Sequence, residues 1–221
     1  MKRILFRVNP IVRKVSLIGT IVFILLSCKK EVNGCTNLQA SNYNSEATDD
    51  DGSCIMATVD QSIEVGDFHE GGVVFWIDDS EEHGLVCSVN DVNNTDWGNS
   101  SIFADTHDSI GAGNINTINL EAELNSIYEY DTPVHICIDL SSNDYSDWFL
   151  PSSKSLKLIS ENRSLISATV LENGGTLFNY DEYWSSTSIN SFEFYSCNFV
   201  ADSIEVGLIN QFRGVRAVRS F

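Results

Sequence analysis

Between Glu31 and Ser153 the sequence contains no lysine or arginine. The chain of 221 residues has 13 basic residues against 31 acidic ones. Five of the 13, Lys2, Arg3, Arg7, Arg13 and Lys14, fall within the first fourteen positions. Beyond them eight cations face all 31 acids, a net charge of −23. That scarcity excludes nucleic acid as a partner, because binding a phosphate polymer is driven by cations that release its condensed counterions. No apolar run reaches the ~20 residues of a permanent membrane span. Motifs of common chemistries are missing too. There is no Gly-x-Ser-x-Gly elbow, and "HEGGV" at His69 lacks the second histidine of a zinc protease. No CxxC pair occurs, and no internal repeat is visible.

What is present begins with a basic stretch and an apolar run from Val15 to Leu26, ending Ser27-Cys28. A charged region followed by a short apolar one is the pattern of an export signal. "LLSC" resembles the lipobox of bacterial lipoproteins, in which the cysteine is acylated and becomes the new N-terminus. The expectation is therefore a signal peptide over 1–27, an acyl group on Cys28, a membrane partner reached through that lipid, and a place on the outer membrane or cell surface.

Export makes disulfides durable. "GCTNLQASNYNSEATDDDGSC", residues 34 to 54, has almost nothing to bury, only Leu38, Ala40, Tyr43 and Ala47. A covalent staple between Cys35 and Cys54 would stabilise a loop of this size by ~3 kcal/mol. With Gly52 at the sixth position of a calcium loop, Asp49 and Asp51 occupy ligand positions, but Ala47 and Thr58 stand where two more are required. Asp49 and Asp51 thus remain candidates for a weaker Ca²⁺ site completed by backbone carbonyls; otherwise they form a solvated turn. No other cofactor is expected. The stretch also resembles a "GCT…A.NYN..AT.DDGSC" module near the start of many exported bacterial surface proteins. The reading is a stapled spacer over 28–65.

Residues 66–221 suffice for one globular domain. "GGVVFWI" and "GLVCSV" flank an acidic loop and predict a hairpin. Leu120, Leu124, Ile127 and Tyr128 predict a helix from about Thr117 to Tyr130. "PVHICIDL" alternates like a strand, yet its proline also suits a helix start. A helix capped by Ser152, with Leu156 and Ile159 inward, should follow Pro151. From Tyr183 onward the chain is strand-rich. Strands, then helices, then strands predict an α+β fold.

Those segments, "GGVVFWID…HGLVCS", "IGAGNINT", "SSNDYSDWFLPSSKSL", "YWSSTS" and "VRAVRSF", occur in the order found in the DUF1566 family, the C-terminal domain of Legionella collagen-like adhesin, which they resemble across 66–221. The resemblance implies a C-type-lectin-like fold of mixed antiparallel sheets with two or three helices, and makes "PVHICIDL" helical. It implies adhesion to an extracellular glycan or protein. Related sulfatase-modifying oxidases use two close cysteines that hold copper; Cys87, Cys137 and Cys197 show no such spacing, so no catalytic residue is expected. The Glu-Pro-Asn or Gln-Pro-Asp triplets of calcium-dependent lectins are absent.

Sugar could instead stack on Trp97, Trp148 or Trp184, aided by Asp147. A sulfated ligand would require Lys154, Lys157, Arg163, Arg213, Arg216 and Arg219 to converge. Arg216 and Arg219, three apart in the last strand, should point to opposite faces, one of them entering the interior to meet an acid such as Asp147.

Overall fold

The computed structural model describes residues 30–56, 62–127 and 129–221. The expected signal over 1–27, acylated Cys28 and Tyr128 lie outside the described residues. Among the described residues no helix is long and apolar enough to cross a membrane. The chain divides into two compact units, Met1–Asp60 and Gln61–Phe221.

The first unit is held by a Cys35–Cys54 disulfide with Cα atoms 4.8 Å apart. Strands β1 (Asn33–Gly34) and β2 (Asp49–Asp50) form a parallel pair. Gly34, Cys35 and Ala40 are buried while Leu38 is exposed, so side-chain hydrogen bonds take over from a core. Asn42 clamps the far end: its Nδ2 donates to Ser53 O at 2.6 Å and its Oδ1 accepts from Ile55 N–H at 2.7 Å. Thr48 Oγ1 accepts from Val32 N–H.

The second unit runs β3 (Phe68–His69), β4 (Gly72–Ile77), β5 (Gly84–Cys87), β6 (Asn93–Thr95), then four helices, α1 (Gly113–Ser126), α2 (Pro133–Ile138), α3 (Ser153–Glu161) and α4 (Arg163–Glu172). It ends with β7 (Glu182–Asn190), β8 (Glu193–Asn198), β9 (Ser203–Leu208), β10 (Arg213–Val215) and β11 (Val218–Ser220). One sheet has the order β11-β5-β4-β3 and is antiparallel. The other has the order β6-β10-β7-β8-β9, antiparallel except where β10 meets β7. The architecture is α+β.

"GVVFWI" reads as a continuous apolar run because its sheet is covered on both faces. Val74 and Val86 join one core with Trp97, Leu120, Trp184 and Phe194. Val73, Phe75, Leu85 and Cys87 join a second with Leu156, Ile159, Ile166, Val170 and Tyr183. Alternation along β4 and β5 thus feeds two cores rather than one core and solvent.

Four helices form where two or three were expected. Helix α4 went unread because Leu165 and Leu171 are exposed, and only Ile166 and Val170 face inward, so the apolar stripe is blurred. Helix α1 begins and ends about four residues earlier than its apolar period indicated. Gly113 admits the close approach at its start, where a Cβ would stand 2.6 Å from Leu150 O. Asn116 then ties the preceding loop, accepting from His107 N–H at 2.8 Å and donating to His107 O at 2.7 Å. "PVHICI" is helical, with Pro133 in the first turn and Val134 and Cys137 buried one turn apart. Ser152 caps α3, its Oγ accepting from Ser155 N–H.

Candidate functional site

The three tryptophans are not platforms, and the expectation that they stack on sugar is corrected. Trp97 and Trp184 are fully buried and Trp148 is 2 % exposed. Trp97 stacks on Phe194 with ring centroids 4.1 Å apart. Trp184 Nε1–H donates to Thr95 O, and Trp148 Nε1–H to Tyr145 O. Large aromatic surface is most stabilising in a core, and these rings are its framework.

Arg216 and Arg219 are both interior, a second correction. The strand period that would separate them fails because the chain leaves β10 after Val215 and enters β11 at Val218, crossing from one sheet to the other. Arg213, Arg216 and Arg219 each meet an acid and an aromatic ring. Arg213 pairs with Glu182 and lies 4.4 Å above Trp184. Arg216 pairs with Asp91 at 2.9 Å and lies 4.2 Å above Phe178. Arg219 pairs with Asp147 and Glu70 and lies 3.9 Å above Tyr145. Asp147 is therefore engaged with Arg219, which holds its carboxyl below the usual carboxylate range through hydrogen bonds.

The six cations whose convergence a sulfated ligand would require each have partners of their own. Lys154 pairs with Asp108, and Lys157 with Glu161 and Asp202. Arg163 donates to Ser160 O. A polyanion therefore finds no shared basic surface here, which argues against the sulfated ligand.

In the acidic turn the carboxylates satisfy the chain's own amides. Asp50 Oδ1 accepts from Gly52 N–H and Asp51 Oδ1 from Ser53 N–H, each at 3.0 Å. Bonds from Ser53 hold the Asp51 carboxyl below its ordinary value. Gly52 adopts φ 76°, the left-handed conformation that the turn needs. Among the described residues no three His, Cys, Asp or Glu side chains gather as a metal site. A cation at Asp49 and Asp51 would need carbonyls for its other ligands.

Sequence reasoning missed an open cleft of about 460 Å³ lined by Asn94, Tyr180, Asp181, Glu182, Gln211, Phe212, Arg213 and Gly214. Strand pairing assembles it, since Gly214 lies between Asn94 of β6 and Tyr183 of β7. A Cβ on Gly214 would collide with the Tyr180 ring, so the ring lies against bare backbone. Tyr180 is fixed from behind by a buried network. Its N–H donates to Tyr183 Oη, and Tyr183 Oη–H donates at 2.9 Å to Asp91 Oδ2, which also accepts from Asn179 N–H. Arg216 supplies the counter-charge.

The opposite wall is the β9–β10 turn, which closes on itself. Gln211 Oε1 accepts from Leu208 N–H and Gln211 N–H donates to Leu208 O. This turn holds Phe212 at 67 % exposure beside the cleft. Arg213 is 8 % exposed, and its Nη1 has no partner among the described residues. An unpaired buried donor costs about 1–3 kcal/mol. The lining therefore combines two aromatic rings, two amides, an exposed carboxylate and an under-used guanidinium.

No family model matches the chain, and no curated protein matches it. Among solved structures it is similar to a fimbrial protein from Bacteroides ovatus ATCC 8483, with a TM-score of 0.50 and 14 % identity, over 71 % of this chain and 48 % of that one. The chain thus spans about half the length of that protein, and at this identity the likeness concerns the fold alone.

Proposed function

We propose that the chain is a non-enzymatic recognition protein, lipid-anchored through Cys28 on the outer membrane or cell surface, whose larger unit holds an extracellular glycan in the Tyr180–Phe212 cleft. The observation that carries this reading is the lining itself: the exposed Phe212 ring and the Tyr180 ring beside Asn94, Asp181 and Gln211. Sugars offer an apolar face edged with hydroxyls, the complement of such a lining. The resemblance of residues 66–221 to DUF1566 and its C-type-lectin-like fold supports the same reading. So does the fold likeness to a fimbrial protein, at the coarse level of a surface role. The thiols of Cys87, Cys137 and Cys197 are buried and their pKa values raised by that burial, which disfavours a sulfatase-modifying activity that needs reactive cysteines.

A glycan array probed with the full chain in detergent, in calcium and then in chelator, tests the proposal. Binding that persists in chelator and is lost on Phe212→Ala is expected. No binding, or binding indifferent to Phe212, would remove the cleft from consideration, and binding lost in chelator would redirect attention to Asp49 and Asp51.

A protein partner is the second reading, favoured by β9 at the sheet edge. Ile204, Val206 and Leu208 share one face of that strand and are all exposed. Leu208 turns its backbone groups away from β8, and by strand alternation so do Ile204 and Val206. Such an edge can add a strand from another chain. Val206→Lys should abolish capture of a peptide partner while leaving glycan binding intact.

A further inference from the structure

Resting on the proposed glycan site, we infer that the cleft selects sugars carrying a free, protonated amino group over neutral or N-acylated ones. Three features of the lining point to an ammonium. Asp181 is exposed in the cleft wall, and no lysine, arginine or histidine lies within 4.0 Å of its carboxylate among the described residues. The neighbouring Glu182 gives Oε2 to Arg213 Nε, and Oε1 has no hydrogen bond among the described residues. Two carboxylates thus face one guanidinium, and the cleft has a surplus of negative charge.

The second feature is the pair of aromatic rings. Tyr180 packs against the backbone of Gly214, and Phe212 projects from the β9–β10 turn. Ring faces beside carboxylates attract a cation through the ring quadrupole, and most strongly where water is partly displaced. A charge-assisted N–H bond to carboxylate is roughly twice as strong as one between neutral groups, so an ammonium gains more here than a hydroxyl.

Third, the other basic side chains of the unit are engaged with their own partners, as described above, so none competes for Asp181 from within the fold. The excess of 31 acids over 13 cations raises the local concentration of cationic solutes. This assigns Asp181 as the specificity residue and Phe212 and Tyr180 as the platform.

The test is calorimetric titration of the full chain in detergent, at fixed salt, with three tetrasaccharides of one backbone type: β-1,4-glucosamine with free amines, its fully N-acetylated form, and the β-1,4-glucose tetramer. The free-amine tetramer should bind at least tenfold tighter than either of the others. Asp181→Asn should erase that preference while retaining residual binding of the neutral tetramer. Asp79→Asn, an exposed acid in the β4–β5 loop, should leave the preference intact.

Equal affinity for the free-amine and N-acetylated tetramers would overturn the inference while leaving a glycan cleft in place. An equal loss in Asp79→Asn and Asp181→Asn would also overturn it, because the preference would then reflect overall charge. If none of the tetrasaccharides binds but a lysine-rich peptide does, both the inference and the glycan reading fail.

Discussion

Arg219 grips Asp147 with two parallel bonds, Nε to Oδ1 at 2.8 Å and Nη2 to Oδ2 at 3.1 Å. The geometry is bidentate, yet the two ends live differently: the Arg219 side chain is 7 % exposed and that of Asp147 59 %. Solvent screens the carboxylate, so the ion pair itself contributes little. Most of the value of Arg219 lies in its bond to Glu70 O and its stack on Tyr145. Arg219→Met should destabilise the fold by about 2 kcal/mol, and Asp147→Asn by less than about 1 kcal/mol.

The same pair sets a pH dependence. The folded-state pKa of Asp147 is depressed, so its contribution is present above the unfolded carboxyl value and is lost as pH falls through the folded one. The difference in melting temperature between the wild type and Asp147→Asn should therefore be largest near neutrality and close below about pH 3.9, the unfolded reference. A gap that widens on acidification would contradict the assignment.

Arg216 is the costlier residue to change. It is fully buried, its Nη1 donates to Ser88 O, and its contact with Asp91 Oδ1 is ionic rather than an aligned hydrogen bond. Arg216→Met would leave Asp91 charged and interior, a loss of about 3–5 kcal/mol. Adding Asp91→Asn should recover part of that loss, which denaturant titration of the single and double variants would measure. Additive losses would show that the two side chains act independently.

The cleft separates stability from binding. Phe212→Ala should leave the melting temperature unchanged, within about 0.5 kcal/mol of stability, because the ring is mostly in water. Gly214→Ala must displace Tyr180 and Tyr183, and should cost about 1–3 kcal/mol as well as altering the cleft. A Gly214→Ala protein with wild-type stability would mean that the Tyr180 ring can move freely.

Thiol chemistry gives a further check. Burial pushes both Cys87 and Cys197 up to about 11, and raises Cys137 as well. A maleimide at neutral pH should leave all three unmodified in the native protein and label them in guanidinium. Rapid native labelling of Cys197 would contradict its burial.

How much could be read from the chain varies with distance along it. The Ser152 cap, the β4–β5 hairpin and the Cys35–Cys54 staple rest on neighbours or on a short loop, and each took the expected form. Helix α4 escaped because its apolar residues do not form a single stripe. The arginines were misread because alternation holds only while a strand continues, and Arg216 stands at a break. The cleft left almost no local trace. It needs residues near 94, 180 and 212 together, and the strand that joins them, β10, is three residues long. The only signal was Phe212 in the polar run "NQFRG", an aromatic where a turn would otherwise be hydrophilic.

The crossing from β10 to β11 has a bearing on how the molecule is made. Asn94 must wait for Gly214, and Cys87 for Val218, before their pairings can close. During synthesis on a ribosome, β6 therefore emerges long before its neighbour β10 exists, and the β4–β5 hairpin long before β11 can cover the free edge of β5. Neither sheet can reach its final order until the stretch from Arg213 to Ser220 has been translated. Pairings between such distant segments form slowly. A nascent chain of this kind keeps the outer edge of β5 and the whole of β6 unpaired until late, open to whatever meets them first.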